Sequence, residues 1–342
     1  MIKLGIIGAG RIGQVHGKSI KNYVQNAEVM SIADPYMNDE IEEWASSMGI
    51  SNIYKDYKKI INDPQIDAVL ICSSTDTHAQ ISIEAAENGK DIFCEKPVDL
   101  DPVKIQKVLE SVEKNEVKFQ VGFNRRFDHN FRAIKDSVVS GKIGDPHIIK
   151  ITSRDPAPAP IEYLKRSGGI FLDMSVHDFD IVRYLSDSEV EEVYAVGEVM
   201  IKPEIGKFGD VDTAAITLKL ESGAIALIDN SRKAVYGYDQ RAEVFGSKGS
   251  ARIENDTPST VKVSTSERIE SEKPPYFFLE RYMDSFAEEI KSFVNTLENN
   301  EEVPVGGEAG LKSVLIGLAA KKSLETGKAV KISEIVKQYK ND

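Results

Sequence analysis

Asp173 and His177 stand four residues apart in the run Gly168-Gly169-Ile170-Phe171-Leu172-Asp173-Met174-Ser175-Val176-His177. On a helix that spacing puts both side chains on one face, with apolar neighbours anchoring the other. A carboxylate beside an imidazole can move protons. Histidine titrates close to working pH, and Asp173 would either bond a substrate hydroxyl or hold the ring, raising its basicity in both roles. Exposed helices also use the same spacing for plain ion pairs. No other histidine sits in a comparable constellation. His16 is expected behind a glycine loop, His78 near cofactor phosphates, and His129 and His147 at the surface or a strand edge. Asp178, Asp180 and Arg183 follow on the same expected helix and are assigned to its internal bonding or to domain packing.

A second constellation opens the chain. Residues 3–7 form an apolar run suited to a buried parallel strand, followed at once by Gly8-Ala9-Gly10-Arg11-Ile12-Gly13 and a stretch compatible with a helix. Gly8 permits the tight turn, Gly10 lets the backbone approach a pyrophosphate, and Gly13 allows close helix packing. The helix start aims its amides at the phosphates, with Arg11 and Ile12 beside them. The next strand-like run, 29–33, ends in Asp34, about 20 residues past the last glycine, where a carboxylate bonds the ribose hydroxyls of NAD and repels the 2'-phosphate of NADP. Asp34-Pro35 also reads as an ordinary turn. Hydride transfer to NAD leaves a proton behind, which is the task an Asp/His pair can perform.

These residues need a scaffold. Strand-like runs at 68–72, 91–94 and 118–122 alternate with helices over 77–89 and from Asp101-Pro102, the pattern of a doubly wound parallel sheet. Ligands of such sheets bind at the carboxyl ends of the strands, which singles out Ser73, Thr75, His78, Glu95 and Lys96. Lys96, fixed by Pro97, would project beside the nicotinamide, where its ammonium could bond substrate hydroxyls; a solvated loop lysine is the alternative. After Gly122 the rhythm changes. Runs at 147–153, 193–201, 213–220, 224–231, 241–245 and 261–264, with turn signals at Glu221-Ser222-Gly223 and Gly246-Ser247-Lys248-Gly249, predict a largely antiparallel sheet with helices on one face and another subunit on the other. A helix over 308–326 and a short strand follow. The expected division is a Rossmann domain over 1–123 and an α+β domain over 124–342, with a cleft between them.

Composition agrees. A chain of 342 residues exceeds the usual single core, and 41% hydrophobic with 29% charged residues is ordinary for a globular protein. The net charge of −12 argues against nucleic acid and anionic membranes as partners. No apolar stretch suits a membrane span and no signal pattern follows Met1, so the cytoplasm is the expected location. Cys72 and Cys94, the only cysteines, suit buried reduced thiols, and no metal site is expected.

The glycine loop, Glu95-Lys96-Pro97 and Asp173-x-x-x-His177, in that order, resemble the glucose-fructose oxidoreductase/inositol dehydrogenase/rhizopine catabolism family over essentially the whole chain. Within it, Arg154-Asp155-Pro156, the segment around Asp173, and Tyr236-Gly237-Tyr238-Asp239-Gln240-Arg241 look like the inositol 2-dehydrogenase branch. The resemblance implies NAD as cofactor and oxidation of myo-inositol to 2-keto-myo-inositol. It implies Lys96, Asp173 and His177 as the catalytic set, with Lys96 bonding the reacting oxygen and assisting the proton relay. It further implies that Arg126, Asp155 and Tyr236 reach other ring hydroxyls, that a homotetramer forms through the open sheets, and that a cis bond often precedes Pro97. The loop Pro156-Ala157-Pro158-Ala159-Pro160 varies among such proteins, which leaves scyllo-inositol, another cyclitol or a pyranose as alternative substrates. A non-catalytic dinucleotide sensor would need neither Lys96 nor the Asp/His pair. A lyase or glycosidase using NAD transiently has no residue here in its favour.

Overall fold

The computed structural model describes residues 1–339. Its first compact unit comprises Met1–Phe127 and Met283–Val314; its second comprises Asp128–Tyr282 and the residues from Leu315 on. The first segment of each unit meets near the boundary expected at Asn124, but the first unit also takes a stretch from far along the chain.

In the first unit, strands and helices alternate: β1 Ile2–Ile7, α1 Arg11–Tyr23, β2 Ala27–Ala33, α2 Asp39–Met48, β3 Asn52–Tyr54, α3 Lys58–Ile61, β4 Ala68–Ile71, α4 Thr75–Glu87, β5 Asp91–Glu95, α5 Pro102–Lys114 and β6 Phe119–Gly122. The strands pair in parallel in the order β3-β2-β1-β4-β5-β6. This is the doubly wound arrangement, with its order reversing between β1 and β4. Leu4, Ile6, Ala68, Leu70 and Phe93 are fully buried in the sheet, because helices cover both faces and each strand reads as a continuous apolar run. The start of α5 behaves as its residue types dictate: Asp101 accepts from the Val103 amide at 2.9 Å, and Pro102 takes the first turn, where no donor is lost.

The second unit carries α6 His129–Val139, β7 Pro146–Arg154, the short helices α7 Ile161–Leu164 and α8 Ile170–Asp173, α9 Ser175–Ser186, β8 Val190–Glu198, α10 Pro203–Gly206, β9 Thr213–Leu220, β10 Ile225–Ser231, β11 Asp239–Gly246 and β12 Gly249–Ile253. There follow the exposed pair β13 Lys262–Ser264 and β14 Ile269–Ser271, then α11 Phe278–Asn299, α12 Gly307–Thr326, β15 Val330–Lys331 and α13 Ile332–Tyr339. Seven strands pair in the order β12-β11-β7-β10-β9-β8-β15, all antiparallel except β7 with β10. Both turn signals close hairpins, β9–β10 and β11–β12. Along β9 and β10 burial alternates strictly, so one face lies under helices and the other is open.

Three readings need correction. Strand β8 starts and ends earlier than 193–201, because the Asp212 carboxylate takes the amides of Met200, Ile201 and Lys202 at 2.8–2.9 Å and turns the chain out of the sheet. Asp173 and His177 do not share one uninterrupted helix: α8 ends at Asp173, and α9 restarts after Met174 with a bond spanning only three residues, from the His177 amide to the Met174 carbonyl oxygen at 3.3 Å. The run at 261–264 does not join the large sheet: as β13 it pairs only with β14, in an exposed two-stranded ribbon; the long helix α11, with Tyr282, Phe286 and Phe293 buried, has no counterpart among these readings. Among the described residues, no helix is long and apolar enough to cross a membrane.

Candidate active site

The glycine loop joins β1 to α1, and each glycine meets a different constraint. Gly8 has φ +98°, and a Cβ there would lie 2.5 Å from the backbone of Cys72 and Ser73 at the end of β4. A Cβ on Gly13 would come within 2.0 Å of the Gly8 carbonyl oxygen, so only hydrogen lets α1 pack this closely on the loop. At Gly10, by contrast, nothing lies within 4 Å of an added Cβ, which leaves a backbone open to a ligand. The first turn of α1 holds no acidic side chain, and its amides face outward at the positive end of the helix. Asp34 follows β2 and braces this cradle: Oδ2 accepts from the Ala9 amide and Oδ1 from Tyr36, both at 2.8 Å. Each oxygen keeps a second lone pair for a ribose hydroxyl. A dinucleotide with its pyrophosphate on the loop fits these features.

At the neighbouring strand ends, Ser73 precedes α4, and its hydroxyl shares a 2.7 Å hydrogen bond with Thr77; Thr75 begins the helix. His78 does not offer its ring to a phosphate as expected. It is buried, with Nδ1 2.9 Å from the Pro97 carbonyl oxygen and Nε2 3.0 Å from that of Ser73, so it ties two strand-end loops together. Glu95 ends β5 and is 12 % exposed; its Oε1 lies 2.6 Å from Nε2 of the fully buried His16. Lys96 follows directly, half-buried, and the Lys96-Pro97 bond is cis. Arg126 lies in a short turn of helix, Asn124–Phe127, after β6.

In the second unit, Asp173 is held from two sides. Tyr163 donates its hydroxyl to Oδ1 at 2.7 Å, and Arg232, 1 % exposed, donates Nη1 to Oδ2 at 3.2 Å. The other guanidinium nitrogen, Nη2, lies 3.8 Å from Asp210, whose Oδ1 accepts from the Ile170 amide at the start of α8. Burial pushes the Asp210 carboxyl above its ordinary value, against the opposing pull of that amide and of Arg232. Tyr163 keeps about half its surface in solvent, yet loss of hydration around it pushes the phenol up, reinforced by Asp173 and, less, by Asp155, with Arg232 opposing. Asp173 is thus held between a phenol and a guanidinium, with the Asp155 carboxylate near enough to Tyr163 to help raise it. Helix α9 carries His177 in its first turn and is fixed to β10 by Asn230, which donates to Asp178 at 2.8 Å and accepts from Ser175.

Models of the GFO/IDH/MocA family match both parts of the chain: "oxidoreductase family, NAD-binding Rossmann fold" over residues 2–123 and "GFO/IDH/MocA C-terminal domain" over 131–252. A myo-inositol 2-dehydrogenase of Thermotoga maritima is 47% identical, covering 98% of this chain and 100% of its own length. The chain belongs to the GFO/IDH/MocA oxidoreductase family. A crystal structure of a probable dehydrogenase from Thermotoga maritima superposes with TM-score 0.95 at 47% identity, covering 98% of this chain and all of that one. The scyllo-inositol dehydrogenase of Lactobacillus casei, solved with NAD(H) and scyllo-inositol, superposes with TM-score 0.91 at 33% identity, covering 97% and 99%.

For this GFO/IDH/MocA chain, one expected substrate contact is placed elsewhere. The Tyr236 hydroxyl donates to Asp239 at 2.5 Å and accepts from Arg154 at 3.2 Å. Arg154, Asp229 and Asp239 alternate with the helix-covered residues Ser153, Asn230 and Gln240, so they occupy the open face of the sheet, opposite α9. Despite burial, which acts the other way, bonds from Arg241, Tyr236 and Asn255 hold the Asp239 carboxyl below its ordinary value. Within one chain the structure thus groups Tyr236 with this ion cluster and not with Asp173. Sequence reading missed Tyr163, Asp210 and Arg232. Tyr163 lies 10 positions before its partner and Arg232 59 after, spacings that no local periodicity reports.

Proposed function

We propose that this GFO/IDH/MocA oxidoreductase is an inositol 2-dehydrogenase that oxidises the secondary hydroxyl of myo-inositol to 2-keto-myo-inositol. The observation that carries the reading is the likeness, over 98% of this chain and the whole of the relative, to the myo-inositol 2-dehydrogenase at 47% identity. NAD, when bound, supplies the acceptor for the hydride. Gly8, Gly10, Arg11, Ile12 and Gly13 would hold its pyrophosphate, Asp34 its ribose, and Ser73, Thr75 and Glu95 the strand ends beneath it. In this reading His177 takes the hydroxyl proton, Lys96 bonds the same oxygen and helps pass the proton on, and Asp173 accepts from a ring hydroxyl. Arg126 and Asp155 bond the remaining hydroxyls. The clamp on Asp173 supports the acceptor role, because a carboxylate already bonded to a guanidinium and a phenol is oriented before substrate arrives. The likeness to the solved scyllo-inositol enzyme favours a second reading, the same chemistry on scyllo-inositol. We further propose that the enzyme works in the cytoplasm as a homotetramer assembled through its open sheet faces, without nucleic acid or membrane partners.

The test is NADH formation from NAD with a panel of inositols and pyranoses. Fastest turnover with myo-inositol supports the first reading, and preference for scyllo-inositol the second; NAD binding without turnover on any of them refutes both. His177→Ala is expected to lower kcat by about 10²–10⁴-fold while NAD affinity stays within a few-fold. Retained kcat would remove His177 from the mechanism.

A further inference from the structure

Behind the strand end that carries Lys96, two side chains with no place in the chemistry above, Glu289 and His16, meet Glu95. Glu289 projects from α11 and is 0 % exposed, and neither carboxyl oxygen has a hydrogen-bond partner among the described residues. An oxygen of Glu289, one of Glu95 and a ring nitrogen of His16 all lie within 4.8 Å of one another. The surroundings are apolar: the His16 ring stands edge-on to Phe93 and Phe286, at 5.1 and 5.8 Å. The polar and titratable groups facing Glu289 from neighbouring elements are His16 on α1, Glu95 on β5, the Cys72 thiol after β4, and Gln120 on β6, whose amide donates to the Glu289 main-chain carbonyl at 3.1 Å. The Cys72 thiol is itself pushed up, by burial first and then by Glu95, Cys94 and Glu289, so it adds no charge.

Two carboxylates and an imidazole could in principle bind a cation. The distances speak against it. His16 Nε2 and Glu95 Oε1 are 2.6 Å apart, a hydrogen-bond distance, whereas two ligands of a tetrahedral ion at about 2.0–2.1 Å sit roughly 3.3 Å apart. A fully buried carboxyl whose oxygens have no hydrogen-bond partner among the described residues is held at least cost as the neutral acid. We propose that Glu289 is a neutral carboxylic acid at physiological pH, that its proton lies toward the Glu95 carboxylate, and that the Glu289-Glu95-His16 chain positions the Lys96 end of β5. In this arrangement the Glu289 acid would reach Glu95 from α11 while His16 Nε2 meets it from α1, which would tie β5 to both helices. Burial first, and Glu95 second, push the Glu289 carboxyl well above its ordinary value, in agreement with this arrangement. The positioning role rests on the proposed function of Lys96; the protonation does not.

An acid whose folded value is raised stabilises the fold fully below its unfolded value, about 4.3, and loses that contribution as pH rises toward the folded value. Glu289→Gln keeps the shape and a donor but cannot ionise. Its melting temperature minus that of wild type is expected to grow from pH 5 to pH 9, by roughly 2–4 °C per pH unit where the effect is steepest. The infrared carbonyl stretch of a protonated carboxylic acid should be present at pH 8 in wild type and absent in Glu289→Gln. Neither measurement needs substrate. A wild-type spectrum without that band, or a melting difference flat with pH, overturns the protonation whatever the enzyme's substrate is. For positioning, Glu289→Leu should lower kcat about tenfold and displace its pH profile, with the KM for NAD little changed and Gln restoring both. A Leu variant that folds and turns over like wild type overturns the positioning role.

Discussion

At the scale of single residues, Arg232 decides the most. It is buried beside two carboxylates, and the guanidinium's fork geometry lets one side chain face Asp173 and Asp210 together. Arg232→Met leaves both acids without their cation, and breaking a buried pair from one side costs about 3–5 kcal/mol. Denaturant unfolding should report a loss of that size, with Asp210 rising further above its ordinary value. Arg232→Lys keeps the charge but presents a point donor, so it should recover only part of the stability while turnover stays depressed. If Arg232→Met unfolds like wild type, the clamp is not part of the fold's stability. None of this could be read from the chain, because a cation and its acids so far apart in sequence are joined only by folding. Asp173 and His177 were legible as chemistry because they are close in sequence, yet even there the break at Met174 was not, since local spacing does not reveal where a helix restarts.

At the scale of elements, legibility followed the range of the interaction. The glycine loop, the Asp101-Pro102 helix start and both hairpin turns were readable, because each is set by backbone demands within a few residues. Strand β8 was misplaced because its end is fixed by Asp212, more than ten residues on. Helix α11 escaped because most of its length joins the first unit, whose sheet lies far back in the chain. The β1-loop-α1 element allows a sharp test. In Gly13→Ala the new methyl meets the Gly8 carbonyl oxygen at 2.0 Å, a backbone atom that cannot swing aside as a side-chain end could, so α1 must move away from β1. The expected cost is about 1–3 kcal/mol in stability, and because the helix start shifts with it, the KM for NAD should rise at least tenfold while kcat at saturation falls less. A variant with unchanged KM for NAD would mean that the loop does not carry the pyrophosphate.

At the scale of the whole molecule, the open face of the seven-stranded sheet is what remains to be accounted for. Tyr194 and Val196 on β8, Ile225 and Leu227 on β10 and Phe245 on β11 are all exposed, alternating with buried neighbours, so they share one face. A run of large apolar side chains on one sheet face, punctuated by pairs such as Lys219-Glu191 and Arg154-Asp229, is a poor surface to leave in water and a good one to pair with a copy of itself. Placing charge in the middle of that face separates assembly from folding. Leu227→Glu puts a carboxylate between apolar neighbours, at no cost to the helix-covered core because residue 227 points away from it. Sedimentation should show wild type at a mass of several chains and the variant at a smaller one, with NAD affinity kept, since the glycine loop belongs to the other unit. A wild type that sediments as a single chain, or a Leu227→Glu that keeps the wild-type mass, would mean that the open sheet is not the assembly surface.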